Sequence, residues 1–516
     1  MLANAVSRAA ELRRSPRLLN LNCFQTYSVR PPRRHMEMES SRPGPAADLD
    51  RISGLPDELL VTILAGLRSA AAAARTSVLS HRWRRVWTKI PDLIFLDDST
   101  PDTVDAAIAA YTAPVMERFA VGLEDLSRPV DAARAAAWLR FAASRAPREV
   151  HVLLPCKEPP TLPEEEEVEE ELEVPVLEST LWLDASFVYD FRLRLPAAGA
   201  GSFAELRILS ISFGRVSGAD LSRVVTAQCP CLRVLELALL DVDGDISIRS
   251  DTLGRLALRA VGHENRLDVV APNLEWLQVH GCNYVDARIS APILTEVEWD
   301  DGYDPARHRF IDTGRRLHRL AVTQWTQMPP LLERFDVADE LSLHLTIPPL
   351  PGAYSIFLEN TRKLPQSKVL TVGLKVMAHS IGSSLLHLLR KCGGITKLKI
   401  EFIHVDAPIV SLCKQFGCSC IQLEMLRTDN VTLDSLEELE FHSFTGSDED
   451  IDLVKLLLMC KKTLEKMVIN VADDLSLSEV VQKKIQSFLH PSTILEMGGP
   501  SSHQRDVCQC KDHDWY

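Results

Sequence analysis

The chain has 516 residues, of which 46% are hydrophobic and 25% charged, and its net charge is −14. At about 150 residues per domain it has room for three to four domain-sized units. This ordinary globular composition excludes a chain disordered throughout, a collagen and a small disulfide scaffold. The longest apolar runs, such as Leu456–Cys460, fall far short of the roughly 18 residues that span a bilayer. An acidic chain is a poor starting point for gripping nucleic acid, which needs clustered Lys and Arg. Most of the 12 cysteines stand singly in apolar segments, as Cys282, Cys392, Cys413 and Cys460 do. That pattern reads as reduced, buried thiols of an intracellular protein.

Residues 1–35 carry Arg8, Arg13, Arg14, Arg17, Arg30, Arg33 and Arg34 against one acid, Glu11. An Arg-rich, acid-poor leader of this kind can be a mitochondrial transit peptide. Met36-Glu37-Met38-Glu39 reads instead as a fresh start followed by a Ser/Pro/Gly/Ala spacer. This favours an extension without a targeting role, and residues 1–48 are expected to be a disordered leader.

The first periodic segment is Leu55 to Leu67. Pro56 suits a first helical turn, where its missing N–H is no loss, and Asp57 and Glu58 follow where the helix dipole favours negative charge. Leu59, Leu60, Ile63, Leu64 and Leu67 then recur at helical spacing. A second helix is expected over Ala70–Val78, and a third from Ser80 through Trp87, ended by Pro91. Trp83 and Trp87, four apart, share a face of the third. Leu55-Pro56-Asp57-Glu58-Leu59-Leu60, Ile63-Leu64, Arg75-Thr76-Ser77-Val78-Leu79-Ser80 and Arg82-Trp83-Arg84-Arg85-Val86-Trp87 resemble, in order, the F-box of plant F-box proteins. One departure is the Ala-rich run Ala70–Ala74, where the family has Pro and polar residues.

The resemblance implies docking on a Skp-type adaptor, and through it on cullin and RING subunits, by a helix-in-groove contact with apolar anchors. The residues it assigns to adaptor binding are Leu55, Pro56, Leu59, Leu60, Ile63, Leu64, Val78 and Leu79. Trp83 and Trp87 would pack within the F-box or beside the adaptor.

Val104–Ala110 and Val130–Ser144 are expected to be helical, and Arg148–Leu154 a strand. Eight of the ten residues 164–173 are Glu. A block of like charge repels itself, so an acidic loop is expected over 160–175. A template Leu-x-x-Leu-x-Leu then recurs from Leu206, Leu232, Leu253, Leu274, Leu294 and Leu317, at spacings of 26, 21, 21, 20 and 23. Weaker copies follow at Leu341-x-Leu343, Val372-x-Leu374, Ile395, Leu436 and Leu464. This is the leucine-rich-repeat period, in which each unit buries its leucines only by stacking on its neighbours.

Positions flanking the fourth residue of each repeat face the concave surface of such a solenoid. Those expected to meet a protein target are Arg207, Arg233, Glu236, Arg255, Glu275, Trp276, Gln278, Glu296, Glu298 and Arg319. They mix signs and include Trp276, which fits a protein or peptide groove better than a nucleic-acid track. Leu436–Gly446, Ile451–Met459 and Leu464-Glu465-Lys466-Met467 resemble the FBD domain that accompanies F-boxes and repeats in plants. Its order is strand, Gly turn, amphipathic helix, strand.

No phosphate loop, His-Glu-x-x-His or Gly-x-Ser-x-Gly elbow occurs. Cys229-Pro-Cys231 and Cys418-Ser-Cys420 lack a second pair at zinc spacing. His503, Cys508, Cys510 and His513 fit no standard structural zinc site. No metal, cofactor or catalytic residue is therefore expected.

The expected fold is α/β: a leader (1–48), a three-helix F-box (49–96), a helical linker (97–148), a degenerate leucine-rich-repeat solenoid with a parallel sheet and variable helical or loop returns (149–420), an FBD-like cap (421–490) and a flexible tail (491–516). The resemblance implies the substrate-recognition subunit of an SCF-type E3 ubiquitin ligase, with a protein target, without nucleic acid or membrane, in the nucleus or cytoplasm. The alternative is a non-ligase scaffold with an F-box.

Overall fold

The computed structural model describes residues 52 and 54–498, apart from residues 97–98, 124–127, 155–169, 188–190, 263–264, 301, 325–328, 349–351, 377–378, 380, 404–417, 419–430, 432, 462–463, 473–474 and 476. The expectations for the leader, most of the acidic run and the tail beyond residue 498 lie outside the described residues; the start of the expected flexible tail is instead strand Ile494–Gly498, paired with Lys466–Val471.

The Leu-x-x-Leu-x-Leu template works by alternation. In strand Ile208–Ser212, Leu209 and Ile211 point inward while Ile208 and Ser210 face the other side. Parallel neighbours repeat this in register. One buried row runs Leu209, Leu235, Leu256, Leu277, Val297, Leu320, Leu341, Leu370, Leu398, Leu439 and Met467. Each strand alone exposes this row, and stacking removes it from water. The partner of Leu341 is Leu370, so the repeat expected at Val372-x-Leu374 sits one pair earlier, at Leu370 and Val372.

Among the described residues these strands belong to one 19-stranded sheet in which every pairing is parallel. Its main ladder follows chain order from Asp92–Phe95 to Ile494–Gly498.

The solenoid therefore begins at the end of the segment expected as the F-box and runs through the one expected as a helical linker. Asp92–Phe95 pairs with Arg118–Gly122, which pairs with Glu149–Leu154. Helices Pro101–Ala110 and Ala132–Arg145 are the returns between these strands. Strands of four and five residues inside Ala-rich surroundings carry too little periodicity to be read beforehand.

The acidic run is corrected too. Glu170–Glu173 is a strand paired with Phe191–Arg194, and Leu172 is fully buried. The Glu170 carboxylate accepts the Ala132 N–H at 2.7 Å, at the N-terminus of helix Ala132–Arg145. An orphan donor and the helix dipole there offset the repulsion within the run.

In the middle of the array the returns are neither helices nor loops. Ile246–Arg249, Arg266–Val270, Asp286–Ser290 and His308–Phe310 form a second, 4-stranded parallel sheet. Repeats of 20–21 residues leave little length for a helix, and Ile246, Ile248, Leu267, Val269, Ala287 and Ile289 alternate inward as strand residues do.

The FBD-like segment continues the main sheet. Strand Glu438–Phe444 leads through Gly446, at φ +78°, into helix Asp448–Cys460 and then strand Lys466–Val471. The turn is held by Asp450, which is buried and accepts from the Thr445 N–H (2.9 Å), the Thr445 hydroxyl (2.8 Å) and the Gly446 N–H (3.1 Å). A single hydrophobic core extends from Leu60 to Ile485, joining the N-terminal helices to the solenoid.

Candidate docking face and concave surface

The N-terminal module comprises helices Asp57–Ala65 and Ala70–Arg75, a 3-10 turn Thr76–Val78, and helix Trp83–Val86 running into a second 3-10 turn, Trp87–Lys89. Asp57 and Glu58 occupy the first turn, as expected. Arg82 ties the third helix back to the first, with Nε donating to Asp57 Oδ1 at 2.7 Å and the guanidinium donating to the Leu55 carbonyl. Ser69 caps the second helix by accepting the Ala72 N–H at 3.2 Å.

The alanine run has a packing reason. Ala70 and Ala73 are fully buried, and their helix lies against strand Asp92–Phe95 and helix Pro101–Ala110. Side chains of one methyl permit that approach.

The module divides its apolar residues between two directions. Leu60, Leu64 and Trp87 are 0%, 2% and 7% exposed and belong to the chain's own core. Leu60 and Leu64 are therefore turned away from any partner, which corrects their place in the adaptor-binding set, while Trp87 packs inside the module, one of the two places expected for it. Residues four apart share a helix face, so Leu60 and Leu64 turn inward together while Leu59 and Ile63 turn outward. Leu59, Ile63, Val78 and Leu79 are 50%, 52%, 85% and 64% exposed. Pro56 is exposed as well, whereas Leu55 and Trp83 are half-buried against the core. Leu67 and Ile52, also exposed, extend the outward set beyond the residues expected from the sequence.

On the sheet, register brings several of the expected concave residues together. Arg255, Trp276, Glu296 and Arg319 form one row across adjacent strands. Glu236, Gln278 and Glu298 fall in the next row, with Ala257 between the first two. Arg207, Arg233 and Glu275 are exposed just ahead of their strands.

Two expectations change in detail. Trp276 is half-buried, and the Arg255 guanidinium stacks 4.6 Å above its ring. Gln278 is buried and accepts from Arg259 Nε at 2.6 Å. Trp276 is thus a cation–π pair rather than a bare aromatic anchor.

A further row, two residues along each strand, escaped the template. His280 pairs with Asp300, and His344 Nε2 lies 2.8 Å from Glu401. Burial raises the Asp300 pKa against the pull of His280. Nearer the ends of the sheet, Glu149 is held down to about 2 by His151 and Arg118, and Glu440 to about 2 by His442 and Lys397. Burial opposes charge on His151, but Asp184 and Glu149 outweigh it and the net shift is upward. These positions were legible only once the strands were in register, because the template points at two x positions and not at a third.

Among the described residues no three His, Cys, Asp or Glu side chains group as a metal ion would need. No described helix is long and apolar enough to cross a membrane.

The chain matches no protein-family model. It is 28% identical over 251 residues to an F-box protein of Arabidopsis thaliana, covering 48% of this chain and 75% of that protein. An F-box/LRR-repeat protein of the same plant is 24% identical over 475 residues, 89% of this chain and 94% of its own length. An FBD-associated F-box protein, again from Arabidopsis thaliana, is 26% identical over 287 residues, 53% of this chain and just under two thirds, 65%, of that protein. The helical module, the parallel solenoid and these matches agree: the chain is a homologue of plant F-box, FBD-associated F-box and F-box/leucine-rich-repeat proteins.

Proposed function

We propose that this protein is the substrate-recognition subunit of an SCF-type E3 ubiquitin ligase. The N-terminal module docks on a Skp-type adaptor, and the sheet holds a target protein for ubiquitin transfer by the cullin- and RING-bound machinery. The observation that carries this reading is the outward apolar set Leu59, Ile63, Val78 and Leu79 in a chain whose homologues are F-box proteins. A small helical module that already buries Leu60 and Leu64 in its own core has no internal use for four more large apolar side chains on its surface. The chain needs no chemistry of its own in this role. Tethering a target beside the charged enzyme raises its effective concentration, and that increase is what accelerates transfer.

Arg255, Trp276, Glu296 and Arg319, with Glu236 and Glu298 beside them, are the candidate contacts for the target. The alternative is a non-ligase scaffold with an F-box, which a docking module weakened by the Ala70–Ala74 departure would favour. Burial of Ala70 and Ala73 supplies a packing reason for that run, which supports the ligase reading.

Co-purification of the full chain with a Skp-type adaptor tests the docking step. Binding is expected for the native chain and lost in Leu59→Asp with Ile63→Asp. Retention of the adaptor by a folded double variant overturns the assignment. Adaptor binding without any change in ubiquitination or half-life of captured proteins overturns the ligase role and leaves the scaffold.

A further inference from the structure

His379 and Cys418 are 39 positions apart in the chain and meet in the fold, with the Cys418 sulfur 3.5 Å from Nδ1 of His379. On the other side of the ring, Nε2 lies 2.9 Å from the carbonyl oxygen of Pro348. A carbonyl oxygen can only accept, so Nε2 carries the ring proton. In the tautomer that carries its one proton on Nε2, Nδ1 presents a lone pair to the thiol. The ring is held beside Tyr354, 5.4 Å between centroids. Nucleophile, base and an acceptor that orients the base are the three parts that activate a thiol.

The other described cysteines lack one requirement each. Cys229 and Cys392 are buried, and burial pushes both thiols up to about 12. Burial also raises the Cys460 thiol. Cys282 is buried, and its thiol lies 3.4 Å from the carbonyls of Leu258 and His280. Cys231 is exposed, but no hydrogen-bonded base stands beside it among the described residues. Cys418 combines partial exposure with a base in reach.

We propose that Cys418 is a site of oxidative modification by hydrogen peroxide, with His379 as its base. The sulfur attacks one peroxide oxygen, the O–O bond breaks and an S–O bond forms. The thiol proton passes to Nδ1 of His379 and on to the departing hydroxide, which leaves as water. Sulfur loses two electrons to become the sulfenic acid and the peroxide gains them, the first rung of cysteine oxidation.

The full chain exposed to dilute hydrogen peroxide, with sulfenic acids trapped by dimedone and mapped by mass spectrometry, tests this. Cys418 is expected to label about tenfold or more faster than Cys231, and His379→Gln to bring it down toward the Cys231 rate. Equal rates at Cys418 and Cys231, or an unchanged Cys418 rate in His379→Gln, overturn the proposal. Local unfolding cannot imitate the expected result. A loosened His379→Gln variant exposes Cys418 further and speeds its labelling, and that outcome also counts against the role of His379.

Discussion

His344 reaches across an entire strand to bond Glu401, and Gly373 is what lets it pass. The two carboxylate and imidazole atoms are 2.8 Å apart. In register, Gly373 lies between His344 and Glu401. A Cβ built on Gly373 would stand 2.6 Å from His344 Cδ2. Gly373→Val is expected to swing the ring aside, break the pair and cost about 1–2 kcal/mol in chemical denaturation. Gly373→Val with His344→Ala recovers part of that loss, since the obstructing ring is gone. A neutral single variant contradicts the arrangement.

Neighbouring leucines of the first helix separate stability from docking. Leu60→Ala leaves a cavity in the shared core and is expected to cost about 3 kcal/mol. Leu59→Asp changes an outward position and is expected to cost under about 0.5 kcal/mol while abolishing adaptor capture. Denaturation curves and adaptor pull-down on the two variants read the two effects independently. The opposite pairing of results would reverse the inward and outward assignments.

Acid sensitivity should begin well above the carboxylate range because of His387. Burial, with Lys391 and Arg390 nearby, lowers its pKa to about 4 from 6.5. The unfolded chain therefore binds this proton first as pH falls. The stabilising effect is complete above pH 6.5 and lost on the way down to about 4. After discounting for remaining solvent contact, the loss is of order 1 kcal/mol. His387→Gln should flatten this part of the stability–pH profile relative to the native chain. Glu149 and Glu440, both held at about 2, keep their contribution above pH 4.5 and lose it only as pH drops from there toward 2. His151, shifted upward, works in the opposite sense, contributing most at low pH and less as pH rises through its folded value. The difference between native and His387→Gln profiles isolates His387.

Glu170 and Glu171 stand side by side in the acidic run with different duties. Glu170 accepts the Ala132 N–H, while the Glu171 carboxylate pairs with Arg194 at 3.0 Å on the surface. Glu170→Ala is expected to cost about 1 kcal/mol as a lost helix cap. Glu171→Ala should cost less than about 0.5 kcal/mol. Equal effects in denaturation would remove the capping role.

Asp450→Ala strips three donors of their acceptor beneath the Gly446 turn. The donors are half-buried and can recover part of the loss from water, so about 1–2 kcal/mol is expected. Faster amide exchange at Thr445 and Gly446 should accompany it. Protection unchanged at both amides would show that the turn is held in another way.

Sequence alone determined the parts that rest on local pattern. The order of the N-terminal helices, the six strong repeats from Leu206 to Leu317, and the strand, turn and helix around Gly446 were legible because each has its own period or punctuation. Tertiary structure alone decided which side of each pattern faces the core. Leu59 and Leu60 are the same residue type one step apart, and only docking of the first helix on the solenoid separates the outward one from the buried one. Strand register likewise placed Arg255 over Trp276 and His344 against Glu401, pairings between distant segments that no single repeat encodes. The short strands Asp92–Phe95 and Glu170–Glu173 were hidden by Ala-rich and Glu-rich surroundings. Both exist because a neighbouring strand supplies the hydrogen bonds and burial that four residues cannot supply for themselves.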